Sequence, residues 1–189
     1  KVRIGEWIIN AIIRGDIDES DDLRHMFYET VPPDVRGEAI GRVAWSFAHV
    51  DVVDDAIRDR LGALWDERVR HVEVNSSDKA ELKDFCWFVR SGRFNHDWWL
   101  PRLKRVLKLY PEFDTQGMIG EQIAQAALTM PGDALDLLIT LLEPENLTSH
   151  DTLLLRIQAL APVIAAALDT GDQGLMKTAT DFMNEMGAR

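Results

Sequence analysis

Hydrophobic residues recur at intervals of three and four along most of the chain, and this spacing predicts α-helices. The segment from Asp54 to His71 is a clear case, since its apolar positions form one stripe and its charged positions face away. That stripe consists of Ile57, Leu61, Leu64, Trp65 and Val69. No segment shows the alternation of apolar and polar residues that is typical of a strand. The pattern therefore predicts an all-α fold.

Turn signals divide these segments into helical hairpins. Gly92, Gly132 and Gly171 lie between helical segments at intervals of 40 and 39 residues, and Gly15 plays the same role near the start. A period near 40 residues with one hairpin per period is typical of α-solenoids such as HEAT, armadillo and TPR arrays. We predict one domain over residues 1–189, a right-handed α-solenoid of about five hairpins. The predicted hairpins span residues 1–31, 33–72, 77–110, 114–143 and 150–187.

Local signals predict where several helices begin and end. Ser20 and Asn95 are good N-cap residues, and the run Asp78-Lys79-Ala80-Glu81 has the residue pattern of a capping box. Gly92 can adopt the left-handed conformation that ends a helix. Pro162 predicts a bend within the segment 151–168.

Composition narrows the class of protein. The chain has 189 residues and a net charge of −11, which argues against a general phosphate-backbone binder. No apolar run reaches the length of a membrane span and no leader is present, so we predict a cytoplasmic protein without a membrane partner. Cys86 is the single cysteine, and we interpret it as a buried thiol. The first residue is Lys1 rather than Met, which suggests a piece of a longer protein.

Signatures of catalytic and metal sites are incomplete. The acidic stretch Asp16–Asp22 resembles a calcium loop, but its sixth position is Asp21 rather than Gly and its twelfth is Phe27 rather than Glu. His71-Val72-Glu73 is not followed by the Pro-Cys-x-x-Cys of the zinc deaminases. The chain also lacks a Gly-x-Ser-x-Gly elbow and a Gly-rich phosphate loop. We therefore predict no catalytic residues, no metal site and no cofactor.

A basic stretch at residues 90–108 provides the candidate binding surface. On a helical wheel, Trp98, Arg102, Arg105 and Leu109 fall on one stripe, separate from the buried face. Exposed Trp and Arg side chains are common interface anchors. The alternative is that Trp98 packs on a neighbouring repeat and the basic side chains pair with nearby acids. The candidate partner-binding residues are Arg90, Arg93, Trp98, Arg102, Arg105 and Leu109.

The six tryptophans are interpreted mainly as core residues. Trp7 belongs to the apolar stripe of the first predicted helix. Trp45, Trp65 and Trp87 each lie on an apolar stripe as well.

The C-terminal half, from Asp78 onward, contains a run of residues that resembles a known class of protein. The run comprises Phe85-Cys86-Trp87-Phe88, Ser91-Gly92-Arg93-Phe94, Trp98, Pro131-Gly132-Asp133-Ala134-Leu135 and Asn184-Glu185-Met186-Gly187-Ala188-Arg189. It is similar to the helical C-terminal region of large bacterial NTPase-type proteins of defence or signalling. The resemblance implies a repeat-like sensor or interaction region, with any catalytic domain elsewhere in the parent protein.

These observations predict a non-catalytic protein-interaction or sensing module of a larger bacterial protein. Its partner would be another protein, which binds through an acidic segment, or other domains of the same parent chain. One alternative is nucleic-acid binding through the basic stretch at residues 90–108, which a steep salt dependence would reveal. A second alternative is a small helical ligand-binding or enzymatic domain.

Overall fold

A computed structural model describes residues 2–18, 21–110, 119–142 and 156–187, and every regular element within these ranges is helical. The prediction of an all-α fold is confirmed. Residues 1–114 and 115–189 form two compact units, whereas the sequence predicts a single domain.

The first unit contains six α-helices and one 3-10 helix within its described residues. They are α1 (Val2–Arg14), α2 (Asp22–Thr30), α3 (Pro33–Phe47), α4 (Asp55–Val74), the 3-10 helix (Ser76–Asp84), α5 (Cys86–Arg90) and α6 (His96–Leu109). Helix α3 packs against α1 on one side and against the 3-10 helix and α5 on the other. Helix α4 contacts α1, the 3-10 helix and α6. The fully buried rings of Trp65, Phe85, Phe88 and Trp99 lie in this core.

The second unit is built from shorter helices. The described elements are α7 (Gly120–Ala127), α8 (Pro131–Leu141), a π-helical turn (Arg156–Leu160), α9 (Ala161–Asp169) and α10 (Gln173–Gly187). Helices α7, α8 and α9 contact one another, and α10 packs against α8 and α9. Helix α10 buries only Ala179 and Phe182.

Three of the four glycines predicted to lie in turns have the left-handed backbone conformation. Gly15, Gly92 and Gly171 have φ angles of 84°, 66° and 73°. The prediction for Gly132 is wrong, because this residue is the second of α8 and its φ is not positive. Helix α8 begins at Pro131, one residue before Gly132, because the fixed φ of proline suits the first helical position.

The predicted caps agree with the structure only in part. Ser20 lies outside the described residues, and the side chain of Asp21 caps α2 by accepting a hydrogen bond from the Leu23 amide at 2.8 Å. Asn95 is at the N-cap position of α6, but its side chain makes no capping bond. The capping box at residues 78–81 is wrong, because the carboxylates of Asp78 and Glu81 bind arginines instead.

A buried ion triad joins the elements of the first unit. Glu81 has no exposed surface, and its carboxylate accepts hydrogen bonds from Arg36 Nε at 2.9 Å and from Arg68 Nε at 2.7 Å. Arg36 also donates to the backbone carbonyls of Tyr28 and Val31, each at 2.7 Å. Since these groups come from α3, α4, the 3-10 helix and the end of α2, the triad fixes four elements relative to one another.

Further polar groups surround the triad and balance its charge. Asp78 accepts from Arg36 at 2.7 Å and lies 2.9 Å from His71 Nε2. The Arg68 guanidinium lies 3.9 Å from the centre of the Tyr28 ring. Arg24 forms an ion pair with Glu67 nearby. The network therefore contains three arginines, Arg24, Arg36 and Arg68, and three carboxylates, Glu67, Asp78 and Glu81.

We expect Glu81→Gln to lower the free energy of unfolding by about 3–5 kcal/mol, because it leaves two buried guanidiniums without their shared carboxylate. Urea denaturation followed by circular dichroism measures the change. The matched control is Glu38→Gln, which breaks an ion pair between side chains that are 47% and 54% exposed. That control should change the stability by no more than about 0.5 kcal/mol. Equal effects of the two substitutions would contradict a structural role of the triad.

The pH dependence of stability provides a second test of the network. Burial alone would raise the pKa of Asp78, but hydrogen bonds from His71 and Arg36 outweigh it and lower the pKa. A carboxyl group with a lowered folded-state pKa stabilises the protein above its unfolded pKa of about 4, and this contribution is lost as pH falls through the folded value. We therefore expect the stability difference between the wild type and Asp78→Asn to shrink below about pH 4. Urea titrations at a series of pH values measure it, with Asp59→Asn as an exposed control. A difference that stays constant down to acid unfolding would contradict this assignment.

Candidate functional site

The structure places Trp98 in the core of the first unit. It is 9% exposed, stacks on Phe94 with ring centres 4.4 Å apart, and meets the Trp65 ring edge-on at 5.5 Å. Trp98 is therefore packed against neighbouring rings and is not an exposed anchor.

The arginines beside Trp98 pair with acids of α4. Arg102 donates to Asp66 at 2.9 Å, and its guanidinium lies 4.9 Å from the Trp98 ring centre. Arg105 donates to Glu73 at 2.9 Å and lies 3.5 Å from Asp66. These ion pairs satisfy much of the positive charge that the sequence places on α6. Leu109, the last member of the stripe, is half-buried.

The remaining two candidate residues lie next to α3 instead. The Arg90 guanidinium is 4.7 Å from the Trp87 ring centre and 5.6 Å from that of Trp45. Arg93 donates to the Ala48 carbonyl, just after α3, at 3.4 Å. Of the six predicted residues, four therefore lie on α6, and the other two, Arg90 and Arg93, lie next to α3.

We expect Trp98→Ala to lower the free energy of unfolding by about 3–5 kcal/mol, as for other buried aromatic truncations. Thermal and urea denaturation measure the change. Lys108→Ala, at an exposed position of the same helix, is the matched control and should have little effect. If Trp98→Ala left stability unchanged, the indole would have to be exposed in solution.

The structure instead exposes tryptophans of the first unit that the sequence assigns to the core. Trp7 on α1 is 60% exposed, Trp45 on α3 is 49% exposed, and Trp87 on α5 is half-buried. The core prediction is wrong for Trp7 and Trp45, and it is confirmed for Trp65, which is fully buried.

The position of Trp45 on its helix explains the difference. Helix α3 already presents a buried face, formed by Ile40, Val43, Ala44 and Phe47. Trp45 lies three residues after Arg42 and four before His49, and all three are exposed. Because residues three and four apart share a helix face, this spacing is the signal that could have placed Trp45 on the polar side.

The ring contacts of Trp45 and Trp87 fix a defined aromatic surface. Their ring centres lie 5.3 Å apart and the ring planes cross at 79°, an edge-to-face arrangement. His49 meets Trp45 edge-on at 6.0 Å, and Arg90 lies over both indoles. We call the surface formed by Trp45, Trp87 and Arg90 the tryptophan face.

A stripe of α3 brings the two indoles together. A Cβ at Gly37 would lie 3.0 Å from the Ala80 carbonyl oxygen, and one at Gly41 would lie 2.8 Å from the Asp84 Cβ. Trp45 follows Gly41 by four residues and therefore lies on the same stripe of α3. The small residues let the 3-10 helix approach closely, and so Trp87 reaches Trp45.

A groove of about 260 Å³ lies beside the two indoles. The groove is lined by Glu38, Gly41, Arg42, Trp45, Asp84 and Trp87. Arg42 forms ion pairs with Glu38 at 2.8 Å and with Glu6 of α1 at 3.2 Å. The groove therefore combines apolar ring surface with carboxylates at its edge.

A second, more polar cavity of about 450 Å³ adjoins the buried ion network. Tyr28 is among its lining residues, and its hydroxyl has no hydrogen-bond partner among the described residues. Burial, together with the Glu81 carboxylate, raises the pKa of Tyr28 above its usual range. Three arginines line this cavity. Arg24 and Arg68 are paired with Glu67 and Glu81, and Arg70 donates to the backbone carbonyl of Asp66 at 3.2 Å.

No group of three potential metal ligands is found among the described residues. None of the helices seen there is long and apolar enough to span a membrane. Comparison with family models, with curated proteins and with solved structures finds no match for the chain.

Proposed function

We propose that this chain is a non-catalytic protein-interaction or sensing module and that the tryptophan face is its binding surface. The observation that carries the proposal is the 49% exposure of Trp45 beside the half-buried Trp87. Trp7 of α1 is 60% exposed as well. Large exposed aromatic surfaces are unusual on a protein that binds nothing, because burying them in a complex is favourable.

The chemistry of the face suits protein recognition. Tryptophan and arginine are the residues that most often dominate the energy of protein interfaces. Trp45 and Trp87 contact each other, and Arg90 lies over both, so that little side-chain freedom remains to be lost on binding. The rings are therefore organised before a partner arrives.

Nucleic-acid binding through residues 90–108 is less well supported. Arg102 and Arg105 pair with Asp66 and Glu73, and a phosphate would have to compete with these carboxylates. The net charge of −11 also opposes approach to a polyanion.

We also propose the α-solenoid arrangement for the first unit. Support comes from α3, which packs between α1 and the 3-10 helix with α5, so that the first helices of three hairpins are neighbours. The second helices α4 and α6 are neighbours as well. Helical repeats stack in this way and present an extended surface. A larger bacterial cytoplasmic parent protein stays a prediction from the sequence resemblance.

We expect the double variant Trp7→Ala and Trp45→Ala to lose partner binding while its free energy of unfolding changes by no more than about 2 kcal/mol, since Trp7 is largely exposed and Trp45 loses mainly its ring contact with Trp87. The measurement is affinity capture from bacterial lysate, compared between variants by quantitative mass spectrometry.

Val52→Ala is the matched control, because Val52 is 81% exposed but lies outside the tryptophan face. It should retain every protein that the wild type enriches. If the double variant retained them too, the tryptophan face would not be the binding surface. Bound nucleic acid that nuclease removes would favour the alternative function.

A further inference from the structure

We propose that the outer face of α1 binds an acidic amphipathic helix of a partner protein. This outer face consists of Arg3, Ile4, Trp7, Asn10 and Arg14. The inference goes beyond the proposed function, which assigns binding to the tryptophan face.

The spacing of these residues provides the first part of the argument. Arg3, Trp7, Asn10 and Arg14 follow one another at intervals of four, three and four residues. Residues at these intervals share one face of a helix, and the same spacing forms the seam of a coiled coil. The stripe covers about 16 Å of α1, since each residue advances the helix axis by about 1.5 Å. Its form therefore suits a second helix that lies along α1.

The exposure of this face provides the second part. Trp7 is 60% exposed, and Ile4, three residues before it, is 63% exposed. Helices α2, α3 and α4 pack against α1 but leave these two side chains open to solvent. An aromatic and an aliphatic side chain are thus available to a partner, and burying them in a complex is favourable.

The charges provide the third part. Arg3 and Arg14 are exposed, and neither forms an ion pair within the described parts of the chain. Glu6 is the only acid of α1, and Arg42 of α3 engages it at 3.2 Å. The outer face therefore has an unpaired positive charge near each end of its stripe. These two charges complement a helix that carries acids eleven residues apart.

The rest of the molecule limits this attraction to local contacts. The net charge of the chain is −11, so an acidic helix gains from the two ion pairs and not from long-range attraction. The same net charge opposes approach to anionic lipid. Helices that lie on a membrane also insert a broad apolar face into the lipid, and that face of α1 is buried in the first unit. A helix is therefore favoured over a membrane as the occupant.

The test uses three capped peptides that differ only at two positions eleven residues apart. Each has the form Ala-X-Ala-Gln-Leu-Leu-Ala-Gln-Leu-Ala-Gln-Ala-X-Ala-Gln-Ala, where X is glutamate, its neutral isostere glutamine or lysine. We expect the glutamate peptide to bind, and the glutamine peptide to bind about tenfold more weakly because two ion pairs are lost. The lysine peptide should not bind. Calorimetry measures the affinities, and circular dichroism compares the helicity of the free peptides.

The tryptophans locate the bound peptide. Two-dimensional NMR of isotope-labelled protein records the indole N–H signals, and single substitutions to phenylalanine assign them. We expect the Trp7 signal to shift when the glutamate peptide is added, while the signals of Trp45 and Trp87 stay unchanged. Trp7→Ala should abolish binding of this peptide, whereas Trp45→Ala should leave it unchanged.

Substitutions of the arginines test the selection by charge. The double variant Arg3→Gln and Arg14→Gln should bind the glutamate and glutamine peptides equally. Its matched control is Arg70→Gln with Lys108→Gln, which removes two exposed positive charges elsewhere and should preserve the tenfold preference. Circular dichroism and thermal melting establish that each variant is folded.

Several outcomes would overturn the inference while the proposed function stands. Equal affinities of the wild type for the glutamate and glutamine peptides would mean that charge does not select the partner. Binding of none of the peptides, or a shift at Trp45 instead of Trp7, would reject the outer face of α1 as the docking surface. A concentration-dependent dimer that Trp7→Ala abolishes would identify a second copy of the chain as the occupant. Sedimentation with phosphatidylcholine–phosphatidylserine vesicles, lost in Trp7→Ala, would identify a membrane instead. Retention of every lysate partner by Trp45→Ala would reject the tryptophan face and leave this inference standing.

Discussion

The buried carboxylate of Glu81 is the constraint on which the first unit depends. Two guanidiniums, from Arg36 and Arg68, can remain out of water only because this group accepts their hydrogen bonds. The cost of separating these charges is high, so the alternatives in which α3, α4 and the 3-10 helix pack differently are strongly disfavoured. A buried ion triad of this kind adds little net stability over an apolar core, but it specifies one arrangement of helices.

That arrangement also determines what reaches the surface. Gly37 contacts the backbone around Glu81, Gly41 contacts Asp84, and Trp45 contacts Trp87, each one turn further along α3. The ion triad lies at one end of this stripe and the exposed indoles at the other. The tryptophan face is therefore positioned by the most buried polar group of the unit, which connects folding directly with the proposed binding surface.

The distribution of charge supports the same view of function. The arginines that look available in the sequence, such as Arg102 and Arg105, are engaged by acids of α4. Negative charge remains in excess over the whole chain. The exposed aromatic surface at Trp45 and Trp87 is therefore a better candidate for recognition than a basic stripe on α6.

The sequence by itself determined the helices, because the apolar spacing and the turn signals act over a few residues. Helix α1 and the ends of α5 and α6 follow the local pattern, as does the left-handed turn at Gly92. Only the tertiary structure decided that Trp98 and Glu81 are buried and that Trp45 is exposed. A helical wheel shows which residues share a face, but not which faces are covered by a neighbour. Glu81 has the local pattern of a capping residue, yet it forms ion pairs with two arginines more than ten residues away in sequence. Such long-range pairing depends on packing that no short stretch of sequence specifies.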